Sequence, residues 1–301
     1  MPEPIEIIIL GCGSGIPLKD RQHPGILLRY SGNYFLFDCG EGTQTRLLEN
    51  GISPLKINKI FITHWHADHF GGLLPLIETL HMEGRKAPLE IYAPEAERFV
   101  SGLLELSYWG IGFEIKPIDI DYEKNKDLIF QNDRFEIYSI RALHSVPAVG
   151  YFFKEKDTWH IIPKLAKKYG IEKEELKEIK NKGYILKNNK KILLNKVAKL
   201  RYGRKIIYSG DTKVSKNIFS NAKNADLLIH DATFIDGKIS EERYHSTVQK
   251  VCLNAKKSNV KKLILTHFSR RYKDTKEILK VAKKYFKNVE VAHDNMKIVL
   301  R

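Results

Sequence analysis

The sequence is poor in cysteine, with three among 301 residues. Cys12, Cys39 and Cys252 are odd in number, lie far apart and form no Cys-x-x-Cys pair. This pattern argues against a disulfide framework and against a thiolate metal site. We expect the three thiols to behave as small apolar residues in a reducing compartment.

Long apolar runs are also missing, since nowhere in the chain do eighteen apolar residues follow one another. The first residues, MPEPIEIIILG, carry acids and prolines where a secretory signal would need a basic segment. The sequence therefore predicts neither a membrane span nor an export signal, and we expect a cytoplasmic protein.

Acidic residues are outnumbered, with 36 Asp and Glu against 51 Lys and Arg and a net charge of +15. A content of 43% hydrophobic and 29% charged residues is typical of a folded protein and excludes a disordered chain or a fibrous repeat. The length allows one large α/β domain or two ordinary domains. The positive charge suits nucleic acid or an acidic membrane surface as a partner, or it only solvates the protein.

The positive charge is concentrated in two segments. Residues 154–205 hold 17 basic and 6 acidic side chains, residues 256–301 hold 14 and 4, and the remainder holds 20 and 26. The first segment is rich in lysine, lacks the apolar strand patterns found on either side, and contains an amphipathic helix pattern over 172–182 that Gly183 would end. We predict that residues 154–205 form an inserted basic arm on an acidic body.

Strand and helix patterns alternate in two halves of the chain. Residues 5–38 read as a strand meander, strands and helices alternate over 42–106 and again over 205–286, and strand patterns dominate 113–153. Two strand-rich halves flanked by helices predict an α/β fold with two sheets at the core and helices on the outer faces.

The strongest local signal is the run His64-Trp65-His66-Ala67-Asp68-His69, which follows an apolar strand pattern. Imidazole nitrogens and carboxylate oxygens are the usual ligands of zinc-like dications. Four such groups within six residues indicate one or two bound cations, because the groups would otherwise be costly to bury together. A run this short cannot complete two metal sites, so further ligands must come from other strands.

His144, Asp211 and His267 are the candidates for these further ligands, since each follows a predicted core strand. Taken singly, a His after a strand is often a hydrogen-bonded loop residue, and an Asp after a Gly is often a turn former. Open α/β sheets place their ligands at the carboxyl ends of strands, so the three become ligand candidates once the histidine run is considered with them.

Several longer motifs accompany the histidine run. They are FDCGEGTQ (37–44), FITHWHADHFGGL (61–73), YSGDT (208–212), HDATF (230–234), HST (245–247) and LTHFSRRY (265–272). With these motifs the sequence resembles the metallo-β-lactamase superfamily over nearly its whole length and, within it, the tRNase Z family of tRNA 3′-processing endoribonucleases. The histidine run specifies only the superfamily, whereas FDCGEGTQ, HST and THFSRRY are particular to tRNase Z.

The resemblance implies a metallo-β-lactamase-like four-layer αβ/βα sandwich. Residues 1–301 would form the catalytic domain, with 154–205 as an inserted tRNA-binding arm, or exosite. A centre of two Zn²⁺ ions per subunit is implied as well. In it, one ion would be held by His64, His66 and His144, the other by Asp68, His69 and His267, and Asp211 would bridge them. Mn²⁺ or Fe²⁺ could use the same ligands.

The implied reaction is hydrolysis of one phosphodiester of precursor tRNA near the discriminator base, which leaves a tRNA 3′-hydroxyl and a 5′-phosphorylated trailer. Asp68 would orient the attacking water or take its proton. His245 would act as general acid, with Asp231 raising its pKa and holding its tautomer. Asp231 stands where the family usually has Glu. The alternative for His245 is a helix cap, a role that Ser246 or Thr247 would fill better.

The resemblance also implies contacts with substrate. Residues 17–21, PLKDR, look like the family's P-x-K-x-R loop near the tRNA 3′ end, which would make Lys19 and Arg21 substrate-binding. The HST and THFSRRY motifs add Thr247, Ser269 and Arg270. The implied assembly is a homodimer in which the arm of one subunit holds a tRNA whose 3′ end enters the other subunit's site, with no membrane partner.

Two other functions stay open at the level of sequence. A small-molecule hydrolase of the same fold, such as a phosphodiesterase, an aryl sulfatase or a lactonase, would use the same metal centre but would not need a long basic insertion. A non-catalytic, metal-stabilised RNA-binding protein fits less well, because structural zinc sites are closed and usually rich in cysteine.

Overall fold

The structure is a computed structural model that describes residues 3–106, 108, 110–187, 190–235 and 244–301. Asn188 and Asn189 of the predicted arm lie outside the described residues. The strands are β1 (Ile5–Gly11), β2 (Gly25–Tyr30), β3 (Asn33–Phe37), β4 (Lys59–Phe61), β5 (Leu89–Ala93), β6 (Ile115–Asp119), β7 (Lys126–Gln131), β8 (Phe135–Arg141), β9 (Val149–Glu155), β10 (Thr158–Ile161), β11 (Tyr184–Lys187), β12 (Lys190–Leu193), β13 (Ala198–Arg201), β14 (Lys205–Tyr208), β15 (Leu227–Asp231), β16 (Leu263–Thr266), β17 (Val289–Val291) and β18 (Met296–Leu300). The helices are α1 (Thr43–Glu49), α2 (Ala67–Phe70), α3 (Leu73–Met82), α4 (Ala96–Leu104), α5 (Pro163–Lys168), α6 (Glu175–Lys182), α7 (Lys216–Asn221), α8 (Val248–Lys257) and α9 (Thr275–Tyr285), with 3₁₀ turns over Pro54–Lys56 and Leu194–Lys196.

The first sheet contains seven strands in the order β18-β1-β2-β3-β4-β5-β6. Strands β18 to β3 pair antiparallel, and β3 to β6 pair parallel. Because neighbouring parallel strands end at the same edge of a sheet, the residues after β3 and β4 lie near each other. Asp38 follows β3 at this edge, and the histidine run follows β4.

The second sheet also contains seven strands, in the order β17-β16-β15-β14-β9-β8-β7. Strands β14 to β17 are parallel. The carboxyl ends of β14, β15 and β16 lead to Asp211, Asp231 and His267, in that order. The two predicted ligands on this sheet, Asp211 and His267, thus share one sheet edge.

Aromatic side chains pack the two sheets against each other. Tyr151 of β9 lies 5.6 Å from Phe37 of β3 and 5.4 Å from Phe61 of β4, measured between ring centroids. Its hydroxyl donates a hydrogen bond of 2.7 Å to the carbonyl of Ile62, just after β4. The contacts fix β9 of the second sheet against the strands that lead to the histidine run.

Helices cover the outer faces of both sheets. Helix α3 buries Leu76 and Leu80 in one cluster with Ile60 and Ile62 of the first sheet. On the second sheet, α8 contacts β16 and α9 contacts β17. The sequence of layers, helix, sheet, sheet and helix, confirms the predicted four-layer α/β sandwich. The short helices α2, α5 and α7 are additions that the sequence patterns did not predict.

A second compact unit comprises Gln131–Glu136 and Lys154–Arg204 and so includes nearly all of the predicted arm. It has a small apolar core of its own, around Ile179, Ile185 and Val197. The predicted helix is present as α6, which begins three residues later than expected and ends at Gly183 in the left-handed region, at φ 75°. The strand pairs β10–β13 and β11–β12 were not predicted, because each strand has only four residues and lysines interrupt the apolar pattern of β11, β12 and β13.

Within the part of the chain that the structure describes, no helix is both long enough and apolar enough to cross a membrane.

Candidate metal centre

The loop after β4 carries the histidine run, and the Asp38 carboxylate contacts both ends of this loop. The backbone N–H of Thr63 donates to Oδ1 of Asp38 at 2.8 Å, and Nδ1 of His69 lies 2.8 Å from Oδ2 of the same carboxylate. Asp38 adopts a left-handed backbone conformation with φ 56°, which Asp tolerates better than most residues. Asp38 belongs to the FDCGEGTQ motif but was not predicted to have a role in the site, although its position directly after a β-strand pattern could have indicated one.

Three imidazoles form the first cluster of candidate ligands. Nε2 of His64 lies 3.0 Å from Nδ1 of His66, and Nε2 of His144 lies 3.1 Å from that same atom. His64 is fully buried, whereas His66 and His144 are partly exposed. The three nitrogens therefore converge on one point, as the sequence analysis predicted for the residues of one ion.

Two imidazoles and a carboxylate form the second cluster. Nε2 of His267 lies 3.4 Å from Nε2 of His69 and 3.4 Å from Oδ2 of Asp68. The Asp211 carboxylate lies between the two clusters, with Oδ1 3.4 Å from His69 and Oδ2 3.1 Å from His267 and 3.9 Å from Nε2 of His64. The seven predicted ligands are thus brought together, with Asp211 in the position expected of a bridge.

Most of these imidazoles have the other ring nitrogen fixed by a neighbouring oxygen. The nitrogen–oxygen pairs are His64 Nδ1 with Thr63 Oγ1 at 3.0 Å, His69 Nδ1 with Asp38 Oδ2 at 2.8 Å, His267 Nδ1 with Thr233 Oγ1 at 2.9 Å, and His144 Nδ1 with the Tyr244 carbonyl at 3.3 Å. Such contacts orient a ligating imidazole and fix its tautomer. The roles of Asp38, Thr233 and Tyr244 as supports of the imidazoles were not predicted from the sequence.

The donor set fits a divalent metal. Neutral imidazole and ionised carboxylate are the forms that bind metals, and the surroundings favour them at His64 and Asp68. At His69, burial alone would lower the pKa, but the Asp211 and Asp38 carboxylates outweigh it and raise that pKa. Burial holds the pKa of His64 well below its usual range. Burial alone would raise the pKa of Asp68, but the neighbouring His69 and His267 outweigh it and lower that pKa. Nitrogen and oxygen donors in two adjacent groups suit Zn²⁺ or another dication of similar preference.

His245 and Asp231 form a separate pair beside the clusters. Nδ1 of His245 lies 2.9 Å from Oδ2 of Asp231, and the hydroxyl of Thr233 donates to the other carboxylate oxygen at 2.6 Å. Burial alone would lower the pKa of His245, but the adjacent Asp231 carboxylate, aided by Asp211, raises that pKa to about 9. The shorter Asp, in place of the usual Glu, therefore still reaches the imidazole. Thr247, not His245, is the N-cap of α8.

A cavity of about 450 Å³ opens over both clusters. Its lining includes His66, Asp68, Asp211, His245 and His267, together with Ser14, Gly15, Ile16, Thr233, Phe234, Ser269, Arg270 and Arg271. Candidate ligands, the His245 imidazole and two guanidinium groups thus face one space. Such a space suits an anionic substrate.

The predicted substrate-binding residues fall into two groups. Ser269 and Arg270 line the cavity, and Lys19 is exposed on its loop. The side chain of Arg21 is buried and donates a 2.7 Å hydrogen bond to the carbonyl of Tyr272. The hydroxyl of Thr247 is buried and accepts from the N–H of Lys250 at 3.4 Å. Arg21 and Thr247 thus have structural contacts, and their predicted contacts with substrate stay predictions.

Two family models match parts of the chain. The model described as "Anti-Pycsar protein Apyc1" matches residues 5–104, and the one described as "Beta-lactamase superfamily domain" matches residues 185–268. The chain is 39% identical over 272 residues to the ribonuclease Z of Thermococcus onnurineus, covering 89% of this chain and 86% of that protein. It is 34% identical over 302 residues to the ribonuclease Z of Methanothermobacter thermautotrophicus, covering 99% of this chain and 97% of that protein.

Solved structures agree with these matches. The structure of human tRNase Z, short form, matches with a TM-score of 0.70 and 30% sequence identity, covering 97% of this chain and 98% of that chain. The metallo-β-lactamase fold protein YhfI from Bacillus subtilis matches with a TM-score of 0.71 but only 17% identity, covering 99% of this chain and 100% of that chain, and shows the fold alone. The chain therefore belongs to the ribonuclease Z family of the metallo-β-lactamase superfamily.

Proposed function

We propose that the protein is an endoribonuclease that removes the 3′ trailer from precursor tRNA by hydrolysing one phosphodiester near the discriminator base. The observation that carries the proposal is the convergence of a cluster of three histidines and a His/Asp cluster on Asp211 in a member of the ribonuclease Z family. The products would be a tRNA with a 3′-hydroxyl and a trailer with a 5′-phosphate.

The metal would be zinc, with two ions per subunit. His64, His66 and His144 would hold one ion, and Asp68, His69 and His267 the other, with Asp211 shared. When bound, the two ions would supply an activated water and neutralise charge on the phosphoryl oxygens. The nitrogen and oxygen donors and the supported ring nitrogens favour this occupant.

Asp68 would orient the attacking water and accept its proton. Its Oδ2 accepts a 2.7 Å hydrogen bond from the backbone N–H of Gly15, and the carboxylate lines the cavity. Gly15 has a positive φ of 54°, a conformation that glycine adopts without steric cost. The Gly15 loop thereby holds the carboxylate in one orientation, which is the condition for efficient proton transfer.

His245 would protonate the departing 3′-oxygen, which is a poor leaving group as an alkoxide. Because Nδ1 of His245 faces Asp231, Nε2 is the atom left to carry the proton to the substrate. The raised pKa of His245, which is about 9, keeps the imidazole protonated at neutral pH. Asp231 is a positioning residue that acts through His245.

Substrate would be held by Lys19, Arg21, Thr247, Ser269 and Arg270, and by the basic arm of residues 154–205 acting on phosphates of the tRNA. Among these, Ser269 and Arg270 have the strongest support, because they line the cavity. The assembly as a homodimer and the cytoplasmic location stay predictions.

The test is cleavage of a precursor tRNA that carries a 3′ trailer, with and without a chelator, followed by sequencing of both product ends. A single cut near the discriminator base that the chelator abolishes and Zn²⁺ restores supports the proposal. A small chromogenic phosphodiester is assayed in parallel. Turnover of that compound without any cut in the precursor would replace the proposal with a small-molecule phosphodiesterase.

A further inference from the structure

The exposed face of α9 carries four lysines and one acidic residue, Glu277, which lies at the edge of the lysine row. Lys276, Lys280, Lys283 and Lys284 are exposed, whereas Ile278 and Ala282 are buried. At about 100° of rotation per residue, the four lysines fall within an arc of about 100° on the side opposite the buried pair. We call these four side chains the α9 lysine stripe.

The stripe lacks acidic partners. Within the described residues, no Asp or Glu pairs with any lysine of the stripe, whereas Lys59, Lys261 and Lys262 pair with Glu90, Asp226 and Glu290. Lys283 donates to the carbonyl of Lys287 at 2.7 Å, a contact that leaves its charge without a counterion. A surface that only keeps a protein soluble intersperses both signs of charge. A row of positive charges without acidic partners instead attracts a polyanion.

The stripe follows a wall of the cavity closely in the chain. Ser269, Arg270 and Arg271 line the cavity, and α9 starts at Thr275. Between them, Tyr272 is fixed on two sides: its carbonyl accepts from the guanidinium of Arg21 at 2.7 Å, and its hydroxyl accepts from the N–H of Ile235 at 3.0 Å. The segment that joins the cavity wall to α9 is therefore anchored to the adjacent loops.

The spacing of the stripe suits a chain of phosphates. Lys276, Lys280 and Lys284 recur every four residues, which places their Cα atoms about 6 Å apart along the axis, or about 12 Å in all. A lysine ammonium is a compact point charge on a flexible stem, so it can follow a phosphate backbone without reading bases.

We propose that the α9 lysine stripe binds phosphates of the precursor RNA outside the cavity, as a sequence-independent contact surface additional to the arm. The inference rests on the proposed function, since it takes RNA as the polyanion. The phosphates could belong to the tRNA body or to the 3′ trailer, and the chemistry of the contact is the same for both.

The test compares two triple variants that each remove three positive charges. The first is K276Q/K280Q/K284Q in the stripe. The matched control is K56Q/K86Q/K297Q, at three exposed lysines on or next to elements of the first sheet. Binding of a trailer-containing precursor is measured with chelator present, so that cleavage does not interfere, over a range of salt concentrations, and thermal melting verifies that both variants fold.

The stripe variant is expected to bind the precursor about tenfold or more weakly at 0.1 M salt, and to lower the slope of log K against log salt by roughly 2, since each phosphate contact contributes about 0.7 to 0.9. The control is expected to change both quantities much less. Equal effects of the two variants would overturn the proposal, because only net charge would then matter.

Binding of mature tRNA, and of precursors with trailers of different length, identifies the source of the phosphates. A loss of affinity as large for mature tRNA as for the precursor would assign the stripe to the tRNA body, and a loss that grows with trailer length would assign it to the trailer. Both results support the contact surface. Cleavage by the unmodified protein is scored separately, so a failure of the proposed function stays distinguishable from a failure of the stripe.

Discussion

The hydroxyl of Tyr208 donates a 2.7 Å hydrogen bond to Oδ2 of Asp38, the same oxygen that lies 2.8 Å from Nδ1 of His69. All three side chains are buried. Tyr208 ends β14 in the second sheet, and Asp38 follows β3 in the first. A candidate metal ligand is therefore oriented by a residue of the opposite sheet, through one carboxylate.

Replacing Tyr208 by Phe is expected to weaken metal retention. The variant removes one hydrogen bond from Asp38 without changing the packing shape, so the carboxylate and the His69 ring that it orients gain freedom. Groups that orient ligands typically contribute 10- to 100-fold in metal affinity, and we expect about tenfold for this more remote one. The measurement is the metal dissociation constant from chelator competition.

Tyr151→Phe is the matched control, because this buried hydroxyl donates to the carbonyl of Ile62 instead of a carboxylate. Tyr151→Phe is expected to lose about 1 kcal/mol in the free energy of unfolding, and Tyr208→Phe about 2 kcal/mol, because its acceptor is a carboxylate. If both variants lost metal affinity equally, general loosening of the core would explain the effect and the role of Tyr208 as a positioning residue would be wrong.

His245→Ala is expected to lower kcat for precursor cleavage by about 10² to 10⁴, the usual contribution of a general acid. Asp231→Asn should cause a smaller loss, because the imidazole keeps a neighbour of similar shape but loses the charge that favours its protonated form. A lower rate could come from loss of the general acid or from loss of bound metal. Metal content, measured by atomic emission on the purified variants, separates these two causes. An Ala variant that retained its metal and its full cleavage rate would exclude His245 from the chemistry.

The candidate ligands could be located from the sequence because their positions are local signals. The histidine run lies in six consecutive residues, and Asp211 and His267 each follow an apolar strand pattern. The supports of these ligands could not be predicted in the same way. Tyr208 reaches Asp38 across 170 positions of sequence, and only the packing of the two sheets brings them together.

The second unit shows a different limit of sequence reasoning. Its helix α6 was predictable from amphipathic spacing and from Gly183, which ends it. Its short strands were not, since β12 reads Lys-Lys-Ile-Leu and shows no clean alternation. The carboxylate of Glu155, buried beside the guanidinium groups of Arg201 and Arg204 at 2.7 and 2.8 Å, is also a contact between distant positions that no local pattern indicates.

Gly15→Ala tests whether the Gly15 loop orients Asp68. An added Cβ at Gly15 would meet nothing within 4 Å, so the cost comes from the left-handed backbone, at about 1 kcal/mol in the free energy of unfolding. Gly84→Ala is the matched control, because Gly84 also has a positive φ, 74°, and open space around its Cα. Both variants should lose similar stability, but only Gly15→Ala should lower kcat, because its N–H donates to Asp68. Equal kcat values for the two variants would show that the Gly15 N–H does not orient Asp68 for proton transfer.

Removing about residues 160–195 tests the role of the arm. The segment contains α5, α6 and the β11–β12 pair, and most of its charged side chains are basic. Because lysines contribute to RNA affinity by neutralising phosphates, we expect KM for precursor tRNA to rise by about tenfold or more and the salt dependence of binding to weaken. Hydrolysis of a small phosphodiester, which has no distant phosphates to bind, should fall far less. A shortened protein that lost both activities to the same extent would assign the arm a structural role, and the link between the positive charge of this segment and RNA would then fail.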